Sequence, residues 1–183
     1  MTDTVPGTDS AADGRFETTD DEVSEQKAVR LAKRLRLIEA GVGAYPVGVP
    51  ITTTIPAVRA RHPHLDPDTA TGDVASLAGR IVHLRNTGKL CFASLQSGDG
   101  SRIQAMVSLA NVGQESLDLW KELVDLGDHL FVSGEVVSSR RGELSIMVAE
   151  WMIAAKTLRP LPNLHAELSE ETRVRSRYLD LIA

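Results

Sequence analysis

The sequence predicts a mainly β protein with flanking helices, in which five strands close into a small barrel that follows a basic helix. Two observations support this prediction. From Asp73 to Ala154, apolar and polar residues alternate with a period of two, which is typical of strands. Before that stretch, residues 26–40 repeat apolar residues at helical spacing among many basic ones.

The first predicted element is the helix over residues 26–40, which ends near Gly41. Its apolar residues fall on one face, and basic residues occupy much of the remaining surface. The apolar set is Ala28, Leu31, Ala32, Leu35 and Ile38, and the basic set is Lys27, Arg30, Lys33, Arg34 and Arg36. Such a basic surface is either an ordinary solvated face or an arm that binds phosphate groups. The helix alone leaves both alternatives open.

Five alternating runs separated by turn residues predict the strands. They are Val74–Arg85, Leu90–Gln96, Ser101–Ser108, His129–Ser138 and Leu144–Ala154. Glycine-containing turns join the second strand to the third and the fourth to the fifth, and a helix over about Gln114 to Leu126 separates the third from the fourth. This order of elements is expected of a five-stranded OB-fold barrel, which presents strands 2 and 3 and nearby loops to oligonucleotides.

The predicted barrel domain covers residues 73–157, and four further parts surround it. They are an acidic tail over 1–25, the basic helix with its end over 26–43, a connector over 44–72, and a linker with a closing helix over 158–183. The tail has eight acids and one base, so its net charge of −7 leaves +2 for the rest of a chain whose total is −5. Few large apolar residues occur in the tail, which predicts disorder.

Several function classes find no support in the sequence. No apolar run reaches the roughly 18 residues that a membrane span needs, and no signal-peptide pattern is visible, which favours a cytoplasmic protein. Cys91 is the only cysteine, and the five histidines are scattered, so no metal site is expected. Nucleotide-binding glycine motifs and a nucleophile elbow are absent, so no catalytic residue is predicted.

The second strand contains the most informative residue of the predicted barrel. Small apolar residues, among them Cys91 and Ala93, point to one face of this strand and suit the barrel interior. Phe92 then points outward, on the same face as Arg102 and Gln104 of the third strand. An exposed aromatic ring beside such neighbours is a base-stacking platform. A bulge that turns Phe92 into the core is equally compatible with the alternation.

Eight short motifs follow one another along the chain. They are Ala44-Tyr45-Pro46, Gly79-Arg80-Ile81, residues 88–96 (GKLCFASLQ), 100–104 (GSRIQ), 125–128 (DLGD), 141–145 (RGELS), 158–162 (LRPLP) and 177–181 (RYLDL). By their order and spacing, the chain from about Gln26 to Ala183 resembles the N-terminal part of bacterial class II lysyl-tRNA synthetases. The Tyr-Pro, Gly-Glu-Leu-Ser and Leu-Arg-Pro-Leu-Pro motifs favour this branch over the aspartyl and asparaginyl enzymes, which share the barrel.

The resemblance implies that the barrel binds the anticodon of tRNA-Lys. Phe92 would stack on an anticodon base, most simply the central uridine. Arg85 and Gln104 would hydrogen-bond anticodon bases or their backbone, and Glu143 would read the edge of a flanking base. The basic residues implied to contact the tRNA backbone are Lys27, Arg30, Lys33 and Arg34.

The resemblance also implies a parent enzyme, lysine–tRNA ligase, whose catalytic domain binds lysine and ATP with magnesium and forms lysyl-adenylate. None of its three signature motifs occurs in this chain, so we expect the segment alone to hold no cofactor and to be inactive. The full-length enzyme is expected to be a homodimer.

Two other interpretations are compatible with the sequence. A free-standing OB-fold module would bind any single-stranded nucleic acid, without a ligase function. A synthetase-like part of a membrane lysyl-phosphatidylglycerol synthase would follow hydrophobic helices, and none precedes Gln26 in this sequence.

Overall fold

The computed structural model describes residues 20–162 and 168–182, with side chains from residue 25. Most of the predicted acidic tail therefore lies outside the described residues, as do residues 163–167 and 183 of the predicted linker. Residues 20–25, which fall within the predicted tail, belong to the first helix. That helix begins with three acidic residues, and acids are favoured in a first turn because it is the positive end of the helix dipole.

Five strands form a closed barrel in the order β1-β2-β3-β5-β4. The strands are β1 Ala70–Thr87, β2 Leu90–Gln96, β3 Arg102–Ser108, β4 His129–Ser138 and β5 Leu144–Ala155. Neighbouring strands are antiparallel except for β3 and β5, which pair in parallel. The predicted five-stranded barrel is confirmed, although β1 begins within the predicted connector over 44–72.

Two helices precede the strands in sequence, two lie between β3 and β4, and two follow β5. They are α1 Asp20–Glu39, α2 Ile55–Arg61, α3 Leu109–Val112, α4 Gln114–Leu123, α5 Glu170–Arg175 and α6 Arg177–Asp180. α4 ends three residues before the predicted end because Val124 is already extended, with φ −85° and ψ 131°. The predicted closing helix corresponds to two short helices, α5 and α6, since Ser176 leaves the helical conformation at φ −122° and ψ 53°.

The barrel interior consists of the small apolar residues that the alternation of β2 and β3 predicts. Cys91, Ala93, Leu95, Ile103, Ala105 and Val107 are all buried, at no more than 1% exposure. Trp120 of α4 is buried in the same core and meets Trp151 of β5 edge-to-face, with ring centres 5.2 Å apart. The tight interior fixes which residues of these strands point outward.

Gly134 lets β4 and β5 approach closely where their register shifts. A Cβ atom at this position would lie 2.0 Å from the backbone oxygen of Met147, a distance that no side chain could adopt without backbone movement. Glycine inside a strand often marks a close approach of another backbone, and this contact requires Gly134.

α1 packs on the barrel with a different face from the one its apolar residues suggest. Leu37 is buried, and Arg30 is only 8% exposed. Leu31, Leu35 and Ile38 of the predicted apolar face are exposed instead. Basic side chains of α1 find acceptors on the barrel, described below, and these contacts decide the orientation of the helix.

Candidate nucleic-acid interface

Phe92 lies on the outer face of the barrel, half-buried between the neighbouring strands. Its backbone pairs with Arg85 of β1 on one side and with Met106 of β3 on the other. The bulge in β1 falls between Ile81 and His83, before this pair, and does not turn the ring inward. The outward orientation predicted for Phe92 is therefore the correct alternative.

Arg85 is exposed, and its guanidinium carbon lies 5.6 Å from the centre of the Phe92 ring. A guanidinium at this distance from a ring interacts with the π-electrons and limits the motion of the aromatic side chain. The pair combines a flat apolar surface with a permanent positive charge. This is the combination that single-stranded nucleic acids require, because bases stack on the ring and phosphates attract the charge.

Gln104 continues this face along β3. Its backbone pairs with Ser94 on β2 and with Ser145 on β5, and its side-chain oxygen accepts a hydrogen bond of 3.0 Å from the Ser145 hydroxyl. No hydrogen bond within the described residues uses its amide nitrogen. Beside it, the Nε of Arg102 donates to the side-chain oxygen of Gln96 at 2.7 Å. The outer face of β2 and β3 thus offers oriented polar groups next to Phe92.

Glu143 sits in the turn between β4 and β5, with an exposed side chain. Two hydrogen bonds fix the backbone of Glu143. Its backbone N–H donates to the Ser139 hydroxyl at 3.1 Å, and its backbone oxygen accepts from the Ser139 N–H at 2.9 Å. The same oxygen lies 2.9 Å from the Ser145 hydroxyl, which connects the turn to Gln104. The carboxylate therefore extends from a rigid turn at the edge of the Phe92 face.

The four basic residues of α1 implied to contact phosphates do not share one environment. Arg30 is buried and donates to the backbone oxygen of Thr157 at 3.2 Å. Lys33 forms an ion pair of 2.5 Å with Asp125. These two residues hold α1 on the barrel, so the structure argues against their use as phosphate ligands. Lys27 is exposed, and the Arg34 guanidinium lies 5.7 Å from the ring centre of Tyr45.

Sequence patterns did not reveal the charged cluster beneath α1. Lys156 is buried, and its ammonium group contacts Asp125 at 2.5 Å, Asp128 at 2.7 Å and the backbone oxygen of Leu123 at 2.8 Å. Burial raises the pKa of Asp128 despite the opposing effect of Lys156. Burial also opposes ionisation of Asp125, but hydrogen bonds from Lys156 and Lys33 outweigh it and lower the pKa of that carboxyl. The cluster fixes the position of α1 relative to the barrel.

The described residues contain no group of three or more metal-ligating side chains that could hold an ion. His62, one of the scattered histidines, instead contacts Asp73, with 3.0 Å between Nε2 and Oδ2. None of the helices in the described part of the chain is long and apolar enough to cross a membrane.

Comparison with known proteins matches residues 75–154 to a tRNA anticodon family of domains described as OB-fold nucleic acid binding domains. The chain is 57% identical, over 162 residues, to a lysine–tRNA ligase of Mycolicibacterium gilvum, with 88% of this chain and 32% of that protein covered. It is 56% identical, over 173 residues, to lysine–tRNA ligase 1 of Mycobacterium tuberculosis, with 94% and 33% covered. The chain therefore spans about a third of the length of these relatives.

A more distant match has a different name. The lysylphosphatidylglycerol biosynthesis bifunctional protein LysX of Nocardia farcinica is 39% identical over 158 residues, which cover 86% of this chain and 13% of that protein. The match to the tRNA anticodon family, over residues 75–154, includes Phe92, Arg85, Gln104 and Glu143.

Proposed function

This chain carries an OB-fold domain of the tRNA anticodon family, and we propose that it reads the anticodon of tRNA-Lys as part of a lysine–tRNA ligase. The single observation that supports this proposal most is the position of Phe92, on the outer face of the matched domain with Arg85 beside its ring. A half-buried ring on this outer face is available to an unpaired base, and anticodon loops present unpaired bases.

The resemblance implies roles for the residues of the outer face, and their geometry supports these roles. Phe92 stacks on the central anticodon base, and Arg85 holds the ring and contacts the adjacent phosphate. Gln104 hydrogen-bonds a base edge through its amide nitrogen, and Glu143 accepts a hydrogen bond from a flanking base. Lys27 and Arg34 contact the tRNA backbone, whereas Arg30 and Lys33 position the helix that carries them.

The activity of the whole protein is also a proposal. The parent enzyme would attach lysine to its tRNA in the cytoplasm, as a homodimer, with ATP and magnesium bound in a catalytic domain. We assign none of the described residues to ATP, magnesium or lysine. The role of the present segment is to select the tRNA and to orient it for that domain.

The test is the affinity of the chain for an RNA hairpin with the tRNA-Lys anticodon loop, compared between the wild type and Phe92→Ala. Loss of one stacked base costs about 1–3 kcal/mol, so we expect Phe92→Ala to weaken binding by roughly five-fold or more. Tyr178→Ala is the control, because Tyr178 is an exposed aromatic residue that lies on α6, outside the barrel. Equal affinity of the wild type and Phe92→Ala would remove Phe92 from the site.

A free-standing binder of single strands would behave differently with unstructured RNA. It would bind a linear pyrimidine-rich strand as tightly as the hairpin, whereas an anticodon reader prefers the loop, whose bases are already splayed. The match to LysX concerns a smaller fraction of a longer protein at lower identity, and therefore supports the ligase proposal less strongly than the two ligases do.

A further inference from the structure

The row of outward-facing residues that contains Phe92 ends in two methionines. Phe92 pairs with Met106 of β3, and Met106 pairs in turn with Met147 of β5. Both methionines are half-buried, and each lies between two buried residues of its own strand. Since successive side chains of a strand point to opposite faces, Met106 and Met147 lie on the outer face of the barrel with Phe92. Arg85 completes the row on the other side of the ring.

Met106 is close enough to contact the Phe92 ring from the side opposite to Arg85. Directly opposite residues on antiparallel strands have Cβ atoms about 4.5–5.5 Å apart, and a methionine side chain spans that distance. Thioether sulfur also packs favourably against the edge of an aromatic ring, at about 5 Å. The ring therefore has the Arg85 guanidinium, 5.6 Å from its centre, on one side and an apolar thioether on the other. A base stacked on Phe92 would cover part of this apolar surface as well.

A thioether is also a site of oxidation. Hydrogen peroxide transfers one oxygen atom to the sulfur, so that an S–O bond forms, the O–O bond breaks, and the other oxygen leaves with both protons as water. The sulfur loses two electrons and the peroxide gains them. The product, methionine sulfoxide, replaces an apolar side chain by a polar one, and methionine sulfoxide reductases restore the thioether. At Met106 or Met147 this change would place a polar group where a base packs against the ring.

The other sulfur atoms in the described part of the chain lie elsewhere. Cys91 is buried in the barrel interior, and burial raises the pKa of its thiol, so little reactive thiolate forms. Met152 is half-buried, as the two methionines of the row are, but it pairs with Phe131 of β4. Within residues 20–162 and 168–182, Met106 and Met147 are therefore the sulfur-containing residues that share the outward-facing row of Phe92.

We propose that Met106 and Met147 form an oxidation site on the Phe92 face, and that conversion of their thioethers to sulfoxides by a peroxide weakens the binding of RNA to the chain. Both side chains are half-buried, so a small oxidant reaches them from solvent, whereas a base stacked on Phe92 would shield them. Bound RNA should therefore slow the oxidation. This inference rests on the proposed function, because it requires RNA on the Phe92 face.

The experiment oxidises the chain with hydrogen peroxide, maps the sulfoxides by peptide mass spectrometry and measures binding of the tRNA-Lys anticodon hairpin. We expect sulfoxide at Met106 and Met147, and slower formation of it when the hairpin is present. Binding should weaken by about fivefold, the scale of one lost stacked base. Methionine sulfoxide reductase should restore the affinity, whereas dithiothreitol, which reduces oxidised thiols but not sulfoxides, should not.

Met106→Leu/Met147→Leu is the main test variant, because leucine has nearly the volume of methionine and contains no sulfur. Before treatment it should bind the hairpin as the wild type does, and after treatment it should lose less than about twofold in affinity. Met152→Leu is the matched control, since it removes a half-buried methionine from the same strand as Met147. It should lose affinity on oxidation as the wild type does.

Four results would each overturn the inference. They are an equal loss of affinity in Met106→Leu/Met147→Leu, unchanged affinity of wild type that carries both sulfoxides, no sulfoxide at the two positions, and a fall in the urea midpoint that accounts for the loss. Any of them leaves the proposed function standing if Phe92→Ala weakens binding by the untreated chain. If the untreated wild type and Phe92→Ala bind alike, the proposed function fails instead.

Discussion

The Arg85 guanidinium lies 5.6 Å from the centre of the Phe92 ring, and the two residues are directly paired on adjacent strands. Each residue thereby restricts the other on an exposed surface. The ring remains half-buried rather than free, because Arg85 lies on one side and Met106 of β3 on the other. In the proposed complex, RNA that stacked on Phe92 would meet a ring already oriented, with the Arg85 guanidinium within reach of the RNA backbone.

Arg85 and Phe92 should act as one unit in RNA binding. We expect Arg85→Ala to weaken hairpin binding. The loss of binding free energy that Arg85→Ala causes should be smaller in the Phe92→Ala background than in the wild type. An exposed cation–π contact is worth about 0.5–1 kcal/mol, which sets the scale of this coupling. A double-mutant cycle on the dissociation constants measures it, and strictly additive effects would show that the two side chains act independently.

Substitution of Lys27 should change the salt dependence of RNA binding, whereas substitution of Lys33 should change the stability of the fold. Lys27 is exposed, so Lys27→Ala should reduce the slope of log affinity against log salt by about one, as loss of one phosphate contact does. Lys33 is paired with Asp125, so Lys33→Ala should lower the free energy of unfolding and leave the salt slope nearly unchanged. Binding titrations at several salt concentrations, together with urea unfolding, separate these outcomes. The reverse pattern would restore Lys33 as a phosphate ligand.

Removal of Lys156 should destabilise the fold strongly. Lys156→Met would leave Asp128 buried without its cation, and breaking a buried ion pair on one side costs about 3–5 kcal/mol. Urea unfolding measures the change, and Lys27→Met serves as the control because it removes an exposed lysine from the same protein. If Lys156→Met lowered the free energy of unfolding by less than about 1 kcal/mol, the scale of an exposed ion pair, Lys156 would not be a main source of stability.

The contribution of Asp125 to stability should depend on pH in the acid range. The folded protein lowers the pKa of this carboxyl, so its stabilising effect is present above the usual aspartate pKa and is lost as the pH falls through the lowered value. The difference in unfolding free energy between the wild type and Asp125→Asn should therefore narrow as the pH falls below about 4. Urea midpoints at a series of pH values test this, with Asp118→Asn, an exposed aspartate on α4, as the control. A constant difference would exclude the ion pairs as its source.

Much of the barrel could be predicted because alternation along a strand has a simple physical cause. Successive side chains point to opposite faces, so the small apolar residues of β2 identified the interior and left Phe92 outside. β2 has the bounds that the alternation predicts, and its buried residues are the predicted ones. The register that brings Arg85 opposite Phe92 depends on the bulge in β1, which the alternation did not locate.

The orientation of α1 could not be predicted in this way. Helical spacing identified Leu31, Leu35 and Ile38 as one face, but the helix docks through Arg30, Lys33 and Leu37. The partners of the two basic residues are distant in sequence, since Asp125 lies between β3 and β4 and Thr157 follows β5. No local pattern contains that information.

The central claim is that the barrel reads a lysine anticodon, and competition between two hairpins tests it most directly. The two RNAs share a stem and differ only in the anticodon, with three uridines in one and three cytidines in the other. Each hairpin competes separately against the same labelled uridine hairpin bound to the chain. We predict that the uridine competitor displaces the label at a concentration at least tenfold lower than the cytidine competitor, because each base read contributes about 1–3 kcal/mol. Equal competition by the two hairpins would contradict anticodon recognition and leave only non-specific binding to RNA.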